Sequence, residues 1–166
     1  SYDASQNSFY ANLLYQSIIS NTNHKFKTGL SFQYDKYGEI LNLLNYDRVE
    51  AVPGAFFEYA YSKTEKFNLV AGMRLDYHNL YGLFYSGRFH MRYALAERTM
   101  LRASVGNGHR TASIFSENSG LFASSRQFII SGDGSDKPYG LDQESAWNVG
   151  FSLTQNFTLD YREGII

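Results

Sequence analysis

The residues best able to do chemistry in this sequence are charges at even positions. Glu58, Arg74, Asp76, Arg88, His90, Arg92 and Arg102 stand among small or polar neighbours. Positions of one parity on an extended chain share a face, so these side chains belong to one surface. Such a surface either guides an ionic ligand, holds a second polypeptide, or neutralises itself through cross-strand ion pairs. Ion pairing is the commoner use, because charges facing a wet interior need partners or water.

A second group lies between Asn107 and Asp142, a connection well beyond ordinary loop length. It carries His109, Arg110, Glu117, Asn118, Arg126 and Asp133, the candidates for ligand contact. Gly-Asp-Gly-Ser-Asp at 132–136 lacks the spacing and terminal Glu of an EF-hand loop, so it reads as a turn cluster. Asp76, His78 and His90 share a parity, but without a set ligand spacing they predict no metal. Gly106-Asn107-Gly108 has no strand–turn–helix context and reads as bulge or rim glycines. No Ser–His–Asp set or paired carboxylates stand out, so neither an enzyme nor a bound cofactor is expected.

The elements that must position these side chains are strands. From 67 to 77 the odd positions read Phe67, Leu69, Ala71, Met73, Leu75, Tyr77. The same alternation runs through 85–95, 99–106 and 145–154, and through 55–61 as Ala55, Phe57, Tyr59, Tyr61. Near the N-terminus Phe9, Ala11, Leu13 and Tyr15 form an odd stripe, and Phe26, Thr28, Leu30, Phe32 and Tyr34 an even one. A period of two is the strand period. The reading is an all-β, antiparallel up-and-down meander of seven long strands, with an eighth starting at Ile165. Short connections fall near 20–23, 63–66, 96–98 and 160–164, and longer ones near 36–48, 78–84 and 107–142. Opposed residues in a hairpin must face the same way. The 20–23 loop should therefore hold an even number of residues and the 96–98 loop an odd number, which disfavours a plain two-residue turn at Glu97-Arg98.

Composition narrows the class. The chain has 166 residues, no Cys, 14 Tyr, 13 Phe, 19% charged residues and a net charge of -1. Absence of Cys excludes disulfides and thiolate metal sites. Balanced charge argues against a nucleic-acid partner, and aromatic richness against disorder. No apolar run reaches the roughly 18 residues of a membrane helix. Without an initiator Met or signal segment, and with an apolar end at Ile165-Ile166, the chain is expected to be an internal piece of a longer protein.

Alternation alone also fits a soluble sandwich with its apolar face in a core. Three features favour lipid. The strands are long against a usual mode of about 5–6 residues, and a membrane strand needs roughly 9–11. Many stripes end in Tyr, as an aromatic girdle requires. The opposite face carries small residues such as Gly72, Ser86, Ser104 and Gly150 rather than Lys and Glu. A complete eight-stranded barrel with a structural or adhesive role also fits the length, and predicts that the first strand pairs with the eighth.

The run from Gly72-Met73-Arg74-Leu75-Asp76-Tyr77 through Tyr81-Gly82 to Arg88 is followed by Leu101-Arg102-Ala103-Ser104-Val105-Gly106-Asn107-Gly108-His109-Arg110. Leu141-Asp142-Gln143-Glu144 then leads into the strand through Trp147 and Gly150. In that order they resemble the β-barrel of TonB-dependent outer-membrane receptors over roughly 50–166. The resemblance implies that residues 1–166 are about a third of a plugged barrel of about 22 strands, without its plug. It implies a multi-pass barrel in the Gram-negative outer membrane, active uptake of a siderophore, cobalamin, haem or glycan, and as partners membrane lipid, a plug in the same full-length chain, and TonB through that plug. The even-position charges would then face the lumen and plug.

Overall fold

The structure, a computed structural model, describes residues 2–42, 44–64, 66–118, 120, 130, 137–159 and 162–165. The strands are β1 (Tyr2–Ile18), β2 (His24–Leu41), β3 (Leu44–Asn45), β4 (Arg48–Lys63), β5 (Phe67–His78), β6 (Gly82–Ala96), β7 (Thr99–Arg110), β8 (Glu144–Leu159) and β9 (Arg162–Ile165). A one-turn helix α1 (Ile114–Glu117) and a 3-10 turn (Pro138–Gly140) lie between β7 and β8. All strands join one antiparallel sheet in the order β1-β2-β4-β5-β6-β7-β8-β9, with the short β3 paired to β2 alone.

The registers match apolar stripe to apolar stripe across the sheet. Leu13 faces Leu30, Leu30 faces Ala55, and Ala55 faces Leu75. Leu75 faces Tyr85, Phe89 faces Val105, and Val105 faces Val149. A slip of one residue in any hairpin would turn a whole stripe to the other side. The turn at 20–23 is even, as parity requires, because Ile19 bonds His24 around it. The turn at 96–98 is solved differently. Ala96 pairs with Thr99, so Glu97 and Arg98 do make a two-residue turn, and a bulge between Ala94 and Ala96 absorbs the odd residue. Parity still holds across the hairpin, because the bulge supplies the odd residue that the turn does not.

Other expected connections shrink because the strands run further. β2 runs on to Leu41 paired with β1, β4 already starts at Arg48 opposite Tyr37, β7 continues to Arg110, and only Asn79, Leu80 and Tyr81 separate β5 from β6. The last strand begins at Arg162, not Ile165.

Among the described residues β1 pairs only with β2 and β9 only with β8, so the sheet is not closed. This overturns the complete eight-stranded barrel. The sandwich fails too, since the described strands form one sheet with no second sheet facing it. The apolar face has no core to enter: Leu83, Val149 and Phe151 are each more than 70% exposed. Each such side chain left in water forfeits about 1.5–3 kcal/mol, a loss that surrounding hydrocarbon removes. The buried core is small and lies elsewhere. Leu41, Phe115 and Tyr139 form it, with Tyr2, Tyr46, Ile114, Ile130 and Leu141 packed around them.

Candidate functional site

The polar face carries three tiers of charge, each set by register. The tier nearest the long connection centres on Arg48, near the start of β4. Its guanidinium donates to Glu39 Oε2 at 2.5 Å and Glu50 Oε1 at 2.8 Å. All three side chains are buried. The Tyr139 hydroxyl sits between them, donating to Glu39 Oε2 at 2.5 Å and accepting from Arg48 at 2.9 Å. Burial, and next the Glu39 carboxylate, push the Tyr139 hydroxyl's pKa well above the ordinary tyrosine value. Glu50 also meets His78 Nε2 at 3.3 Å and accepts from the Thr111 hydroxyl at 3.1 Å. The Leu80 amide donates to His78 Nδ1 at 3.1 Å. In the neutral ring the proton is therefore on Nε2, directed at Glu50.

The middle tier is Arg74 and Asp76, side by side on β5. Arg74 donates to Asp76 Oδ2 and to Ser31 Oγ, both at 2.6 Å. Beside it Arg88 of β6 pairs with Glu58 of β4 across Gly72 of β5, and Lys27 approaches Glu58 at 3.8 Å. A Cβ on Gly72 would lie 3.3 Å from Arg88 Cγ, so the glycine opens the path for this pair. The tier toward the short turns holds His90, Arg92 and Arg102, which line a cleft of about 540 Å³ with Asn68 and Ser104. Arg92 reaches Met100 Sδ at 2.9 Å, and Arg102 donates to Thr154 Oγ1 at 3.2 Å.

All seven predicted polar-face residues thus share the face, and two of the expected ion pairs form within it. The loop candidates behave differently. Arg110 ties the loop to its own strands, meeting Glu117 at 3.0 Å and Glu144 at 2.6 Å. The Asn118 side chain donates to the Ile114 carbonyl at 2.9 Å and closes α1. His109 lies by the Tyr85 carbonyl at 3.1 Å, and its ring packs at a tilt against Phe84. It fills a seam, because the β6–β7 ladder ends at Arg88–Gly106. Asn107 bridges the same seam, accepting from the Gly87 amide at 2.6 Å and donating to the Tyr85 carbonyl at 3.1 Å. The predicted rim glycines lie where the ladder stops. Arg126 and Asp133 lie outside the described residues.

Glu39, Arg48, Glu50 and Tyr139 were missed, and His78 was singled out for a different role. Parity would have placed Arg48 and Glu50 beside Glu58, had 36–48 been read as strand. Among the described residues no three His, Asp or Glu side chains come together as metal ligands; His78 is engaged by Glu50 and Leu80 instead.

Comparison with solved structures gives the same architecture. The siderophore receptor PirA from Pseudomonas aeruginosa superposes with a TM-score of 0.69 at 13% identity, over 92% of this chain and 30% of that one. A variant of the ferric enterobactin receptor PfeA from Pseudomonas aeruginosa gives 0.68 at 13% identity, over 92% and 25%. PirA from Acinetobacter baumannii gives 0.69 at 12%, over 92% and 25%. The chain therefore spans less than a third of these receptors' length. None of the curated proteins matches it. The family model described as TonB dependent receptor-like, beta-barrel matches residues 1–162. A two-faced antiparallel wall, open at both edges and matched over nearly its whole length by that model, belongs to the barrel of the TonB-dependent outer-membrane receptors.

Proposed function

We propose that the chain is a section of barrel wall in a receptor that carries a ferric siderophore across the outer membrane, driven through TonB. The carrying observation is the division of faces. One parity presents apolar and aromatic residues through every long strand, and the other presents Glu58, Arg74, Asp76, Arg88, His90, Arg92 and Arg102. Such a wall has lipid on one side and a polar lumen on the other. A plug from the same full-length chain would occupy that lumen and make the contact with TonB. His109, Arg110, Glu117 and Asn118 would hold the loop's base, leaving Arg126 and Asp133 as the ligand-contact candidates. The siderophore class is supported by the similar solved structures, which are siderophore receptors.

The test is iron accumulation in a Gram-negative strain lacking its own siderophore receptors, with the full-length receptor supplied. Radiolabelled ferric siderophores should accumulate with TonB present and not in its absence. Uptake of cobalamin, haem or a glycan instead would reassign the cargo. TonB-independent accumulation would overturn the mechanism.

A further inference from the structure

A histidine lies in the outward aromatic stripe near the short turns. His24 opens β2 and pairs with Tyr61, and the next outward pair is Phe26 with Tyr59. Its Nδ1 is 2.5 Å from the Tyr59 hydroxyl, and its ring lies 4.7 Å from that of Tyr61. A phenol is the better proton donor and an imidazole nitrogen the better acceptor. The hydroxyl therefore donates to Nδ1, and in the neutral ring the proton is on Nε2. Two tyrosines thus fix the imidazole in one orientation. Among the described residues its Nε2–H has no acceptor.

Lys63 ends β4 on the same outward parity, two residues beyond Tyr61. It is a diagonal neighbour of His24, about 7–8 Å away. It is exposed and makes no salt bridge among the described residues. The outward neighbours of the pair are Ile19, Phe67, Leu69 and Tyr93, none of them acidic. Toward the strand centres the rings continue, Tyr15 against Phe26 at 5.9 Å and Phe26 on Phe57 at 6.1 Å. Sideways, Tyr61, Phe67 and Tyr93 follow at 6.0 and 6.1 Å.

An oriented N–H donor and an ammonium thus stand together at the polar edge of an aromatic surface. Aromatic belts lie at headgroup level, and a lysine at a strand end carries its charge to that level. Short turns of such barrels are periplasmic, so the adjacent leaflet is the inner one. Any interfacial lysine draws an anionic surface. The fixed imidazole adds a directed donor, and phosphate oxygens take such charge-assisted bonds strongly.

We infer that His24 and Lys63 bind the phosphate of an anionic phospholipid, whose acyl chains lie over Phe26 and Phe57. The inference rests on the reading of the outward face as lipid-facing.

The experiment uses the full-length receptor in vesicles, with a single fluorophore on Leu69→Cys, which pairs with Tyr61 on the same face. The vesicles hold phosphatidylglycerol and phosphatidylcholine in equal parts, and one or the other carries quenching bromines in its chains. Phosphatidylglycerol should be enriched beside the label by about fivefold, the effect of one lysine at an anionic surface. Lys63→Gln and His24→Phe should each remove most of that enrichment, the second while keeping a ring in place. Lys25→Gln is the control: it removes a charge at the same height, but Lys25 has the opposite parity. The enrichment should survive it. An equal loss in Lys25→Gln would reduce the effect to general surface charge and overturn the inference. Equal quenching by the two lipids in the wild type would overturn it too. Lys63→Gln changes an exposed strand end, so it decides the matter even where His24→Phe does not fold. Inorganic phosphate, compared with chloride at matched ionic strength, should not displace the lipid. Displacement by phosphate alone would assign the site to a free anion and overturn the lipid assignment. A label quenched by neither lipid would refute the lipid face itself, so the two failures are distinguishable.

Discussion

Asp76 and Gly54 face each other across β4 and β5, and Asp76 occupies the space that a Gly54 side chain would take. A Cβ on Gly54 would stand 2.0 Å from Asp76 Oδ1. The same point lies 2.9 Å from Arg74 Nη2 and 3.0 Å from Ser31 Oγ. The middle tier of charge therefore depends on a residue with no side chain. Asp76 Oδ1 is buried with no hydrogen-bond partner among the described residues, and Oδ2 is held by Arg74 at 2.6 Å, so moving the carboxylate aside would cost that bond.

Gly54→Ala should accordingly destabilise the folded receptor by about 1–3 kcal/mol, the range for overpacking. Gly108→Ala is the control, since a Cβ there meets nothing within 4 Å; its effect should be neutral or slightly stabilising. Urea unfolding of the receptor in lipid vesicles measures both. Equal effects of the two changes would count against the packing argument.

Tyr139→Phe should loosen the docked base of the loop by about 1.5–3 kcal/mol, the range for a hydrogen bond to charged groups. Hydrogen exchange across 137–143 reads it. The pH dependence has a fixed sign. A hydroxyl whose pKa is raised on folding stabilises fully below the ordinary tyrosine value, about 10. That contribution is lost as pH rises through the raised folded value. Protection attributable to Tyr139 should thus be constant at neutral and mildly alkaline pH and fall only in strong alkali. Loss near neutrality would contradict the Glu39–Tyr139 contact.

Phe115 is fully buried against Tyr2, Tyr46 and Tyr139. Phe115→Ala should cost about 3–5 kcal/mol of local packing. Its effect should stay within the loop's base and the facing ends of β1 and β2, because this small core is separate from the sheet's apolar stripes. Protection of β5 and β6 amides toward the short turns should be unchanged.

How much of this was legible in sequence follows from where lipid sets the pattern. Inside the membrane every second residue must be apolar, so Leu69, Met73 and Phe89 announce their strands. Beyond it the outward positions are free. Lys36 and Gly38 carry no stripe, so Glu39 and Arg48 read as loop although their strands still pair. Tyr139 meets Glu39 from 100 positions away, and no local period encodes such a contact. The bulge at Leu95 was hidden for a related reason: parity demands an odd residue but does not say whether turn or strand holds it.

The seam between β6 and β7 gives another test. Asn107→Ala removes both bonds by which its amide replaces the missing ladder. The Gly87 amide should lose its exchange protection, while the paired amides of Phe89 and Met91 keep theirs. Uniform loss along β6 would mean that the seam is not local.

The division of faces is tested most directly on β5. The chain contains no Cys, so single cysteines can be placed at successive positions from 69 to 75 in the full-length receptor and spin-labelled in lipid bilayers. Accessibility to oxygen, which concentrates in hydrocarbon, and to a water-soluble nickel chelate should alternate out of phase. Labels at Leu69, Ala71, Met73 and Leu75 should favour oxygen, and labels at Val70, Gly72 and Arg74 the chelate. In-phase accessibility, or no alternation, would contradict a wall with lipid on one face and a polar lumen on the other.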